Sequence, residues 1–224
     1  MNELRLLHLC DSLLPLGGFA YSDGLETATS SGAITSAGDL AAWLDVCLDE
    51  TIGRMEGPGV RQAWAAFDQG DWDALAALDE ELTALRPCAN ARRSSRAMGL
   101  RLLTTWHALH AAPRLAQAIA LARGGRFGPV LPIAFAAACV CAGIEPRRAV
   151  AAFAYTRLAA TISAAMRLMP IGQTDAHALL ARATDRVPAV ADAVMTRETI
   201  ESFAPAADLA AMSQQYLHSR LFRT

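Results

Sequence analysis

The sequence predicts an all-α protein, a single compact helical domain of about ten helices with a C-terminal tail. Two compositional facts and one pattern carry that reading. Roughly a fifth of the 224 residues are alanine, the best helix former, while only 6% are aromatic. Apolar residues recur every three or four positions between glycine and proline breakers. No segment alternates with period two for long enough to read as a strand. At 53% apolar and 19% charged residues, the chain also lies far from the composition of disordered proteins.

Each element has its own signal. Residues 4–14 place Leu4, Leu7, Cys10 and Leu14 on one helical face, and Pro15 ends the segment. Residues 15–24 form a glycine-rich turn with two aromatics. Ser36 to Asp39 is a capping box ahead of Leu40, Trp43, Leu44, Cys47 and Leu48. Gly57-Pro58-Gly59 is expected to break that helix from one carrying Val60, Ala63, Trp64 and Phe67. Asp71 caps a helix with Leu75, Leu78, Leu82 and Leu85 inward, ended by Arg86-Pro87. A long arginine-rich helix follows over 90–110, then a short one closed by Gly124-Gly125. The uncharged run 127–144 reads as a buried core helix, too broken by Pro129 and Pro132 to span a bilayer. Glu145-Pro146 starts the next helix, which runs to Pro170. Two further helices are expected at 174–186 and 189–202. The domain is taken as residues 1–204 and the tail as 205–224.

Function is first bounded by what is missing. All 20 basic residues are arginine. Without lysine there is no Walker A phosphate loop, Schiff-base lysine or pyridoxal phosphate anchor. Five scattered cysteines, with no C-x-x-C, suggest neither a disulfide framework nor a four-cysteine zinc site. No nucleophile elbow occurs. The opening residues lack a signal-peptide pattern, so a cytoplasmic protein without a membrane segment is expected.

Charge is unevenly spread. Residues 1–81 hold 15 acids and three arginines, whereas 82–144 hold eight arginines and no acid. Such blocks mark either a docking surface or two halves that pair within the fold. Acids in the first quarter would repel phosphates, so nucleic acid is not an expected partner. His107 and His110, three apart, could hold a metal from adjacent turns. No acid between Glu81 and Glu145 completes that set locally, and no metal site is expected. Leu221 and Phe222, bracketed by Arg220 and Arg223, either dock back on the domain or anchor a partner.

Four segments together resemble the urease accessory protein UreF family. Leu9 to Glu26 is similar to its SxLPxGGFxxSxGLE opening, and Ser95-Arg96-Ala97-Met98-Gly99 to its mid-chain helix ending in Met-Gly. Ala164 to Gln173 is similar to its AAxKLxPLGQ segment, and Ser219 to Thr224 to its SRLFRS ending. The resemblance implies an all-helical homodimer in the cytoplasm with no catalytic activity and no cofactor of its own. It further implies binding to UreD (also called UreH) and recruitment of the GTPase UreG, for nickel delivery to apo-urease. Arg220, Leu221, Phe222 and Arg223 would then face partners. Pro170, Gly172 and Gln173 would shape a surface for the GTPase or the dimer, and Gly17, Gly18 and Phe19 would join the partner-binding set. A direct nickel carrier using His107 and His110 is the alternative. The chain departs from the family pattern at Ala159-Ala160 (Glu-Asn expected), Gln214-Gln215 (His-Glu) and His218 (Tyr).

Overall fold

The computed structural model describes residues 2–223, and among these every regular element is a helix. The α-helices are α1 (Asn2–Cys10), α2 (Leu25–Ser30), α3 (Ala37–Val46), α4 (Gly57–Gln69), α5 (Trp72–Ala84) and α6 (Ala89–Leu109), followed by α7 (Pro113–Arg123), α8 (Leu131–Ala142), α9 (Pro146–Leu168), α10 (Gln173–Thr196) and α11 (Pro205–Ser213). A π-helical segment, Cys47–Glu56, joins α3 to α4. The all-α expectation therefore holds.

Two apolar clusters share one scaffold. In the first, α8 is buried along nearly its whole length between α4, α6 and α9, as its uncharged sequence requires. Trp106, Phe67 and Phe153 are wholly enclosed there. The second joins α2, α3, the π segment, the C-terminal half of α9 and α10. Helix α9 contributes to both. Its 23 residues are apolar and long enough to cross a membrane by length and composition, yet half of the relevant window is buried inside the fold.

Three boundaries differ from expectation. Gly57-Pro58-Gly59 does not break the chain, because helical backbone continues from Ala37 to Gln69. The π register makes this possible: the Gly57 N–H bonds to the Ile52 carbonyl, and Pro58, lacking a donor, sits where the ladder changes from π to α. The two helices expected on either side of Pro188 are one, α10. Its buried stripe of Ala176, Leu180, Ala183, Val187, Ala191 and Val194 runs unbroken past the proline, which lies on the exposed face. Burial of these side chains, worth about 1.5–3 kcal/mol for each large one, outweighs the ~3 kcal/mol cost of an interior proline. Finally, α1 stops at Cys10, with the Asp11 carboxylate accepting the Leu13 N–H at 2.8 Å. Leu9 and Leu14 turn inward, but Leu4 and Leu7 face outward.

The charge blocks meet inside the fold. Arg86, Arg96, Arg114 and Arg126 of the basic stretch pair with Glu56, Asp79, Asp68 and Asp73 of the acidic one. Arg92, Arg93, Arg101 and Arg123 have no ion pair among the described residues.

Candidate functional site

The N-terminal turn and the C-terminal tail, the two segments with the strongest sequence motifs, lie against each other. The turn needs its glycines. Gly17 takes φ +79 to start the 3-10 turn Gly18–Ala20, and Gly24 takes φ +89 beside Asp23 at φ 49. A Cβ on Gly24 would stand 2.8 Å from the Ala211 backbone nitrogen, so only glycine lets α11 approach α2 so closely.

This approach brings the tail onto Glu26. Its carboxylate, 4% exposed, accepts the backbone N–H groups of Leu221 and Phe222 and the side-chain amide of Gln214 at 2.7 Å. The Arg223 N–H donates to the Ala20 carbonyl at 2.7 Å. Phe222 is buried in the second cluster, its ring 4.2 Å beneath the Arg167 guanidinium, while Leu221 remains 56% exposed. Burying the phenyl ring stabilises the docked tail by about 1.5–3 kcal/mol, and the cation–π contact adds about 0.5–1 kcal/mol. The tail is thus ordered on its own chain, and Phe222 faces inward. Arg220, Leu221 and Arg223 face out.

Beneath the turn lies a buried ion network. Arg157 on α9 pairs with both Asp23 and Glu56, at 3.1 Å for the latter, and Arg86 pairs with the other Glu56 oxygen. Burial alone would raise the Asp23 carboxyl, but Arg157 and Arg86 overcome it and hold it below the usual carboxylate range. Burial likewise opposes the charge on Arg157, and the two carboxylates restore it with an upward shift. Asp79 goes the other way. Burial raises its carboxyl despite the N–H groups of Gly128 and Val130 and the neighbouring Arg96.

The remaining candidates are placed as follows. Pro170, Gly172 and Gln173 form an exposed connection from α9 to α10, just beyond Arg167 and so at the tail end of the molecule. His107 and His110 have separate surroundings. The His107 Nδ1 accepts the Ala112 N–H at 3.4 Å, while His110 packs 4.3 Å from Trp106 and 5.9 Å from His8. Burial, with Arg5 and His8 adding repulsion, lowers the His110 pKa. Among the described residues no three His, Cys, Asp or Glu side chains converge as a metal site. Burial pushes the Cys47 thiol up to about 12 and those of Cys10 and Cys141 to about 11, which makes these three poor nucleophiles.

A groove of about 360 Å³ opens beside the turn, its walls including Phe153, Tyr155, Ala159, Ala160 and Phe222. The two alanines that depart from the family pattern thus line this groove. Gln214, another departure, is the buried partner of Glu26.

The UreF family model matches residues 34–184, two thirds of the chain. Urease accessory protein UreF of Azoarcus sp. is 31% identical over 227 residues, covering 99% of this chain and 95% of that protein. The chain belongs to the UreF family. UreF of Methylibium petroleiphilum is 33% identical over 99% of this chain and 93% of its own length, and that of Delftia acidovorans 35% over 78% and 75%. The chain is thereby a urease accessory protein, acting in urease maturation. The family-model match stops short of both Glu26 and the tail, whereas the near-full-length relatives extend across them.

In the sequence Glu26 is only the end of a motif, Arg101 one of a run of arginines and Arg167 the lysine position of another motif; none of them carries a task there. The available signal for Glu26 is a carboxylate directly after Leu25 at the start of a short helix, which on burial must be satisfied with donors from elsewhere.

Proposed function

We propose that this UreF-family chain is a non-enzymatic adaptor that binds UreD (UreH), recruits the GTPase UreG, and so serves nickel insertion into apo-urease in the cytoplasm. Nickel is cargo of the assembly, and the chain needs no cofactor of its own. The observation that supports this best is the clasped tail. Glu26 and the buried Phe222 fix the backbone so that Arg220, Leu221 and Arg223 are presented outward in one arrangement. Preorganising such a segment removes part of the ordering cost of binding. Leu209, Met212 and Tyr216, on α11 and the turn after it, are exposed apolar residues of the same C-terminal segment. Exposed apolar patches rimmed by arginine are typical partner surfaces. Self-association is part of the reading, and the open groove along α9 with exposed Tyr155 supports it.

The test is size-exclusion chromatography with light scattering, on the chain alone and mixed with cognate UreD and GTP-loaded UreG. A stable complex with both partners, lost on Leu221→Asp or on removal of residues 221–224 while helical circular dichroism is retained, is the expected result. Complexes that form equally well with the altered tail would overturn the assignment of the tail to partner binding.

A further inference from the structure

We infer that the turn Gly17–Ala20, with Arg101 and Arg167 against it, is a docking surface for an acidic, carboxylate-bearing segment of a different protein. The inference rests on the reading that this end of the molecule binds partners, and adds the partner's chemistry and the residues that select it. Arg167 Nη1 donates to the Phe19 carbonyl at 2.7 Å. Arg101 Nη1 lies 3.2 Å from where a Cβ on Gly17 would stand. Both side chains are exposed, and among the described residues neither has a carboxylate partner. A guanidinium has five N–H donors in a planar fork, so each keeps donors free for a bidentate carboxylate. Arg220 and Arg223, exposed in the adjoining tail, add to the same positive field.

Phe19, whose carbonyl Arg167 holds and which lies two residues from the Gly17 that Arg101 approaches, has 54% of its surface open to solvent. An exposed phenyl on a turn that two guanidinium groups reach has the aromatic-plus-arginine composition favoured at interfaces. It fits a segment with an apolar side chain between carboxylates better than it fits a bare phosphate. Acids of the neighbouring segments are not paired with Arg101 or Arg167: Asp23 pairs with Arg157, Glu26 accepts the tail N–H groups, and Asp11 accepts the Leu13 N–H. Most acids of the acidic block are engaged as well: 13 of the 15 in residues 1–81 cap helices, pair with arginine or hold backbone, and a second copy as occupant is read out by self-association.

The probe is a fluorescein-labelled decapeptide with Asp and Glu flanking a central Leu-Leu, compared with its Asn/Gln counterpart by fluorescence anisotropy. Binding of the carboxylate peptide is expected. It should weaken about tenfold or more in Arg101→Glu, less in Arg101→Gln, and fall with salt between roughly 50 and 300 mM. The amide peptide should bind at least about tenfold more weakly. Equal binding of the two peptides, no binding, or insensitivity to Arg101→Glu in a folded variant would overturn the inference. So would displacement by millimolar inorganic phosphate, which would identify an anion site, or loss of self-association in Arg101→Glu, which would identify a second copy as the occupant. Complex formation with the other urease accessory proteins separates the two readings. Loss with Leu221→Asp but not with Arg101→Glu would leave the docking end standing and remove the acidic partner, whereas retention in both would remove both.

Discussion

The Glu26 carboxylate accepts the backbone N–H of Phe222 at 3.2 Å across 196 positions of sequence, tying the opening motif of the chain to its closing one. A buried carboxylate with too few donors is costly, and the tail supplies them. The tail's two N–H groups are in turn kept from solvent competition. This reciprocity makes the C-terminal segment part of the fold and positions its exposed neighbours.

Replacing Glu26 by Gln is expected to free the tail and leave the rest of the helices intact. Hydrogen bonds to a charged acceptor are worth about 1.5–3 kcal/mol, so amide exchange at Leu221 and Phe222 should accelerate by roughly tenfold to a hundredfold. Hydrogen exchange read by mass spectrometry on the C-terminal peptide checks this. Unchanged protection there would mean that Phe222 burial alone holds the tail.

Arg157→Met should destabilise the whole domain. The substitution keeps much of the volume but strips Asp23 of its partner and leaves Glu56, 1% exposed, with Arg86 alone. Breaking a buried pair by removing one member costs about 3–5 kcal/mol. Urea denaturation of both proteins measures the difference, and a loss under about 1 kcal/mol would show the network to be energetically idle.

The same network predicts a direction for acid sensitivity. The Asp23 carboxyl is depressed in the fold, so its contribution is fully present above the unfolded value near about 4 and is lost as pH falls through the lower folded value. Urea midpoints of the parent chain and Asp23→Asn should therefore differ at neutral pH and converge at strongly acidic pH. A gap that stays constant with pH would assign the effect of Asp23 to its backbone conformation.

Gly99→Ala tests the mid-chain motif. A Cβ at Gly99 would stand 1.8 Å from the Pro129 carbonyl oxygen, where α6 crosses the segment leading into α8. Backbone cannot yield as a side-chain end does. The cost should exceed the ~1–3 kcal/mol of ordinary overpacking, with a lower thermal midpoint and poor soluble yield. A variant as stable as the parent would mean that α6 and α8 can separate at this crossing.

Much of the architecture was legible because helix signals are local. The Ser36–Asp39 capping box, Asp71 as a cap and Pro146 in the first turn of α9 all appear where the sequence puts them, since each acts within a few residues. The errors arose where distant packing overrides a local preference. Pro58 and Pro188 look like breakers, yet the π register absorbs one and the long buried stripe of α10 outweighs the other. Leu4 and Leu7 share a periodic face with Leu14, but a nine-residue helix ending at Cys10 leaves Leu4 and Leu7 facing solvent. Of the candidate site, the two motif segments were recognisable and their mutual contact was not.

By itself, the sequence determined the all-helical class, the absence of lysine chemistry and the membership in the UreF family, because composition, periodicity and motif order are properties of the chain. Only the tertiary structure decided that Phe222 is buried while Leu221 is exposed, that Glu26 and Gln214 meet, and that Arg101 and Arg167 reach the same turn, at Gly17 and at the Phe19 carbonyl. Those relationships depend on which surfaces are brought together over separations of up to 196 residues. No local pattern encodes such a pairing; the burial of α8 and α9 and the need to satisfy each enclosed charge select it.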